Sequence, residues 1–190
     1  MIRLLRHIVA GVLIITTVTA CIPHDSRCAI LPGGGQYCLQ DTNQIAPFEV
    51  QQKVDIAYKD HRETMIAYIE IDSQNLDFVG LTPFGQKLVH VNYNNQQAKA
   101  IALPDKRLDP ALMVALLQLA LWPVDSIRSG LSSRLIVEES DRQRLILDGS
   151  KLVMNIRYAD SSVPYRQLQI SIPAVGMELD IVSLAETEME

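Results

Sequence analysis

The sequence predicts a mainly β protein, a curled antiparallel sheet of about ten strands with one or two inserted apolar helices. Short runs along most of the chain alternate apolar and polar residues, which is the period of a half-buried strand. Polar turn clusters separate these runs at close intervals. One stretch, residues 109–122, breaks the alternation and is almost wholly apolar.

The first strand is read from Phe48, Val50, Val54, Ile56 and Tyr58, which alternate with Glu49, Gln51, Lys53 and Asp55. Tyr58 to Arg62 reads as a polar turn. Met65, Ala67, Ile69 and Ile71 then share one face of a second strand, and Asp72-Ser73-Gln74-Asn75 turns the chain again. Further strands run from Leu76 to Leu81 and from Lys87 to Tyr93. Asn94-Asn95 marks a turn, and a weaker strand spans Ala98 to Leu103. After the apolar stretch, Leu135 and Val137 lie in one strand and Leu145 and Leu147 in the next. Asp148-Gly149 is a turn signal. Leu152 to Tyr158, Leu168 to Ile172 and Met177 to Ile181 complete the set.

The apolar stretch is a helix. Asp109 is a good N-cap and Pro110 suits the first helical position. Ala111 to Trp122 is apolar except for Gln118, and Pro123 stops it. Such a helix is buried or lines something greasy. It is too short to span a bilayer, which takes about 20 residues. A second short helical turn is expected over Asp125 to Ser129, ending at Gly130. A long antiparallel sheet curls, and its concave face must be filled. One short helix fills only part of it, so an apolar cavity is expected beside the helix.

The N-terminus carries Arg3 and Arg6, then the short apolar run Ile8 to Ile15, then Val18-Thr19-Ala20-Cys21. That order reads as a secretory signal peptide over residues 1–20. A cysteine directly after small residues looks like a bacterial lipobox, in which Cys21 is acylated and becomes the mature N-terminus. Ile22 follows it rather than Asp; in lipoproteins of this type Asp there resembles an inner-membrane retention signal. The expected location is therefore the periplasmic side of the outer membrane, with the protein lipid-anchored. Acyl chains contribute about 0.8 kcal/mol per buried methylene, and stable anchoring takes more than one chain.

Residues 21–46 read as a lipidated tether and a disulfide-pinned lead-in segment. In an exported chain Cys28 and Cys38 are expected to pair, since Leu31-Pro32-Gly33-Gly34-Gly35 can turn the chain back between them. Free thiols or a metal site are the alternatives, and no His or second Cys pair supports the latter. Residues 47–185 form the β domain, and 186–190 are an acidic tail. The signal segment holds two of the 17 basic residues and none of the 22 acidic ones, so the mature chain has 15 basic against 22 acidic residues. That balance argues against a nucleic-acid partner, whose phosphates demand basic patches.

No catalytic pattern stands out. His7 leaves with the signal, His24 sits in the tether, His61 in a turn and His90 on a strand. No pair has metal-ligand spacing. There is no nucleophile elbow, and Gly33-Gly34-Gly35 lacks the Lys-Ser/Thr of a phosphate loop. An enzyme is not expected, and no cofactor is.

Leu81-Thr82-Pro83-Phe84-Gly85-Gln86-Lys87-Leu88, then Ala102-Leu103-Pro104, the helix, Leu121-Trp122-Pro123-Val124 and Ser129-Gly130 form an ordered series. In this order the chain resembles the LolB-type outer-membrane lipoprotein receptor family. It is similar, more closely, to short lipoproteins found beside fatty-acid-like and aryl-polyene biosynthesis genes. Gln51-Gln52-Lys53-Val54 and Gly80 to Gly85 carry that likeness. The resemblance implies a curled antiparallel half-barrel of about ten to eleven strands around helices, enclosing a cavity for acyl chains. Leu81, Phe84, Leu88, Leu116, Leu117, Leu121 and Trp122 are the cavity candidates. The implied partners are a lipid or acyl chain, or lipidated cargo, and a LolA-like periplasmic carrier. The implied role is lipoprotein localisation or export of an aryl-polyene-type lipid. A lipoprotein that scaffolds an envelope complex is the alternative. LolB-like receptors also carry a protruding loop with an exposed apolar residue. Here the early turns at Tyr58–Arg62 and Asp72–Asn75 are mostly polar, so a specialised lipid or polyene-lipid binder fits better than a general lipoprotein inserter.

The lipobox gives a direct prediction. Cys21→Ala should yield a folded, soluble periplasmic protein in cell fractionation, and retention in the outer-membrane fraction would contradict it.

Overall fold

The structure is a computed structural model and describes residues 27–103, 108–160 and 166–184. The signal segment 1–20, Cys21, His24, Pro104 and the tail 186–190 lie outside the described residues. Two short strands, β1 (Cys28–Ile30) and β2 (Gln36–Cys38), form a separate hairpin with Cys28 opposite Cys38. These cysteines form the expected disulfide. The hairpin is an addition to the sequence reading, because three-residue strands are too short for a period to show. A single 3-10 turn at Thr42–Gln44 leads on to the sheet.

The sheet is built from two meanders. The first holds β3 (Phe48–Tyr58), β4 (His61–Ile71), β5 (Leu76–Leu81), β6 (Lys87–Tyr93) and β7 (Ala98–Ala102). Two helices follow, α1 (Pro110–Leu121) and α2 (Val124–Gly130). The second meander holds β8 (Leu135–Ser140), β9 (Gln143–Asp148), β10 (Lys151–Tyr158), β11 (Gln167–Ile172) and β12 (Met177–Ser183). Together they make one ten-stranded sheet in the order β7-β6-β5-β4-β3-β12-β11-β10-β9-β8. All its pairings are antiparallel. The seam is β3 against β12, in register from Met177 opposite Tyr58 to Ser183 opposite Gln52. Strands β7 and β8 are edges, so the sheet curls without closing into a barrel.

The turn expected over Tyr58–Arg62 is shorter than that. Both strands run on until Tyr58 faces His61, and only Lys59 and Asp60 turn. Lys59 takes the left-handed conformation that so tight a connection needs (φ +54°). The polar residues there are exposed strand ends, which look like a turn in sequence. Register shifts at Gly80/Leu81, His90/Val91 and Leu152/Met154 interrupt the ladders. Each bends its strand and adds twist, which helps curl the sheet.

Helix α1 starts where its sequence says. The Asp109 carboxylate accepts from the Ala111 N–H at 2.9 Å. At the other end, the sheet caps the helix. The last carbonyls of a helix have no partner within it and carry its negative pole. Arg144 of β9, nearly fully buried, donates to Leu119 O at 2.7 Å and to Glu139 Oε1 at 2.6 Å. Tyr158 of β10 donates to Ala120 O at 2.7 Å.

Gln118, the one polar residue of α1, is fully buried. Its Oε1 accepts from the Gln40 N–H at 2.8 Å and from Tyr37 Oη at 3.2 Å, and its Nε2 donates to Gln40 O at 2.7 Å. Trp122 Nε1 donates to Asp41 O at 3.0 Å. These bonds strap the lead-in segment to the helix. Gly130 lets it approach, since a Cβ there would collide with the Cys38 carbonyl and sit 2.6 Å from the Tyr37 ring.

Gln118→Leu removes three of these bonds and strands the polar backbone of Gln40. It should cost about 3 kcal/mol, read as a lowered midpoint in urea unfolding. A second prediction concerns alkali. Burial pushes the Tyr158 hydroxyl from 10.0 up to about 12, and burial also raises Tyr37. The fold requires the protonated form of each. The stability each contributes is therefore full below pH 10 and lost as pH rises through the folded value. Thermal unfolding should fall off between pH 10 and 12, less steeply in Tyr158→Phe.

Candidate functional site

Both sides of α1 are used. Ala111, Val114, Ala115, Gln118 and Leu119 are buried and face the protein, where the helix packs on β1, β6 and β7. The other side presents Leu112, Met113, Leu116, Leu117, Ala120 and Leu121, spaced three and four residues apart so that they form one stripe. This stripe lines a cavity of about 440 Å³. Five of the six are only half-buried, although they face the interior. They border open space instead of packed atoms.

The concave face of the sheet forms the opposite wall. Strand alternation points Val54 and Ile56 inward from β3, and Ala67 and Ile69 from β4. Phe78 does the same from β5, Ile170 and Ile172 from β11, and Leu179 and Ile181 from β12. Gly80 allows β6 to close against this wall, since a Cβ there would stand 2.6 Å from a Val89 methyl. Pro32, at the tip of the β1–β2 hairpin, lines the cavity as well. That tip is held by Lys151 Nζ, which donates to Gly33 O at 2.8 Å. The disulfide closes the hairpin at its base.

The cavity has a polar end and a greasy one. Exposed Leu108 and Glu63, with Thr64 and Asp109, border it near the start of α1. Ala120, Ile69, Phe78 and Leu168 are buried and close it at the end where Tyr158 holds the helix. Gln52 is the one amide in the wall. A second hollow, about 310 Å³, is a polar surface groove containing Arg27, Asp41 and Ser126. Arg27 is paired there with Asp41 at 3.0 Å. Among the described residues no three His, Cys, Asp or Glu side chains are grouped to hold a metal ion. No described helix is long and apolar enough to cross a membrane.

Of the sequence candidates, Leu88, Leu116, Leu117 and Leu121 line the cavity. Leu88 does so at the β-bulge that displaces the β5–β6 register, where Gly80 pairs with Val89 and Leu81 with Lys87. Leu81, Phe84 and Trp122 lie elsewhere. Leu81 pairs with Ile66 on the convex face, the opposite parity from Ala67 and Ile69. Trp122 is buried on the far side of the helix, held by its bond to Asp41. Phe84 is 94% exposed at the tip of the β5–β6 turn. That turn is closed by Gly85 N–H to Thr82 O at 2.9 Å and Thr82 N–H to Gln86 O at 2.8 Å. An exposed apolar hairpin tip is thus present, one hairpin beyond the polar turns at Tyr58–Arg62 and Asp72–Asn75. It lies at the end of the sheet where Met65 and Glu63 border the cavity. The residues missed in sequence, Leu112 and Met113 above all, belong to the stripe that helical spacing from Asp109 generates.

The profile of a family described as a protein of unknown function, DUF3261, matches residues 49–185. No curated protein matches the chain. Among solved structures it is similar to a LolA superfamily protein from Nitrosomonas europaea. The two share 10% identity at a TM-score of 0.38, over 74% of this chain and 84% of that one.

Proposed function

This chain belongs to the DUF3261 family, and we propose that it is an envelope lipoprotein that binds lipid acyl chains. Acylated Cys21 holds it on the periplasmic side of the outer membrane, and the cavity between α1 and the sheet takes the chain. The role is binding, without catalysis. The cargo is a lipidated protein or an aryl-polyene-type lipid, received from its own membrane or from a LolA-like periplasmic carrier. Phe84 stands where it can enter the bilayer beside the cavity; burying such a side chain is worth about 1.5–3 kcal/mol.

The cavity is the observation that carries this reading. Its wall is aliphatic apart from Phe78 and a few polar groups, chiefly at the rim. Left empty, the cavity leaves this apolar wall without packing partners across it. Side chains larger than Ala67 and Ala120 would reduce the cavity. An acyl chain supplies those partners on binding, at about 0.8 kcal/mol per methylene.

A scaffolding role is the second reading. Ile101 and Ile136 are exposed on the two edge strands, 60% and 48%, and unpaired edges invite partner strands. A pull-down that recovers a stable protein partner without lipid would favour it.

Leu117 is at the middle of the stripe. The protein lacking its anchor should take up a fluorescent fatty acid, and Leu117→Glu should weaken uptake at least tenfold while keeping the circular dichroism spectrum. Uptake unchanged by this substitution would contradict the proposal.

A further inference from the structure

The dimensions of the cavity say how much lipid it holds. A methylene occupies roughly the 30 Å³ share of a liquid water molecule, so 440 Å³ holds about fifteen of them. Length agrees independently. The stripe from Asp109 to Leu121 extends about 18 Å at 1.5 Å per residue. An extended alkyl chain, with bonds of about 1.5 Å at tetrahedral angles, advances roughly 1.25 Å per carbon, which gives about fourteen carbons over that span. The three chains of a triacylated cysteine would need roughly 1,300 Å³ by the same measure, about three times what is present.

Resting on the reading of this cavity as an acyl site, we infer that it takes a single chain of about fourteen to sixteen carbons. A lipid with two or three chains gains nothing from the others. The buried end, at Ala120 and Leu168, sets the limit of length. The acidic rim at Glu63 and Asp109 is where the head of the lipid emerges.

Competition binding to the protein lacking its anchor tests this, with saturated fatty acids from eight to twenty carbons as probes. Affinity should rise up to about fourfold per added methylene, then level off near fourteen to sixteen carbons, at one chain per protein. Ala120→Leu should move that break about three carbons shorter, and Leu168→Ala about three longer. Cysteinyl peptides carrying one or three acyl chains should bind within threefold of each other. A triacylated peptide binding more than tenfold tighter, or affinity still rising at twenty carbons, would overturn the single-chain limit while leaving the acyl site intact. Failure of every probe to bind would overturn the acyl site itself.

Discussion

Helix α1 is apolar on nearly every side, and this constraint shapes the molecule. A helix of that kind cannot face water on either side. One side packs on β1, β6 and β7 and fastens the lead-in segment through Gln118 and Trp122. The other needs an apolar surface opposite it, which the curled sheet supplies. Its C-terminal carbonyls are satisfied from the sheet by Arg144 and Tyr158. The helix is thus held at its sides and its end, away from the concave wall. The space between follows from that placement.

The seam between β3 and β12 keeps the wall in one piece. It joins the first and last long strands, so the concave face continues across both meanders. Ile56 and Leu179 stand opposite each other there and both line the cavity. A one-residue slip in this register would turn the inward set to the convex face. The β1–β2 hairpin then closes the remaining side with Pro32, and its disulfide keeps this small element folded.

Strand positions were legible in the sequence because alternation is a local signal, and β5 and β6 begin and end where it places them. The helix was legible from Asp109, Pro110 and Pro123. Which apolar residues face the cavity was less so. Leu81 and Trp122 sit in greasy stretches, but parity and helical angle turn them away. Leu145 and Leu147 were the obvious apolar pair of their strand. The buried residues are Arg144 and Ile146, because the helix end needs a cation more than the core needs a leucine. Phe84 shows the same limit. Exposure at a hairpin tip depends on how far neighbouring strands extend, which no local pattern records.

The proposal that the cavity takes an acyl chain requires the chain to lie against the Leu112–Leu117 side of α1 and not the other. Nuclear Overhauser contacts between a bound fatty acid and methyl-labelled protein test this directly. Contacts to the methyls of Leu112, Leu117 and Ile170, with none to Val114 or Val91 behind the helix, are the predicted result. Contacts confined to the convex face of the sheet, or none in the cavity with the ligand bound, would contradict it.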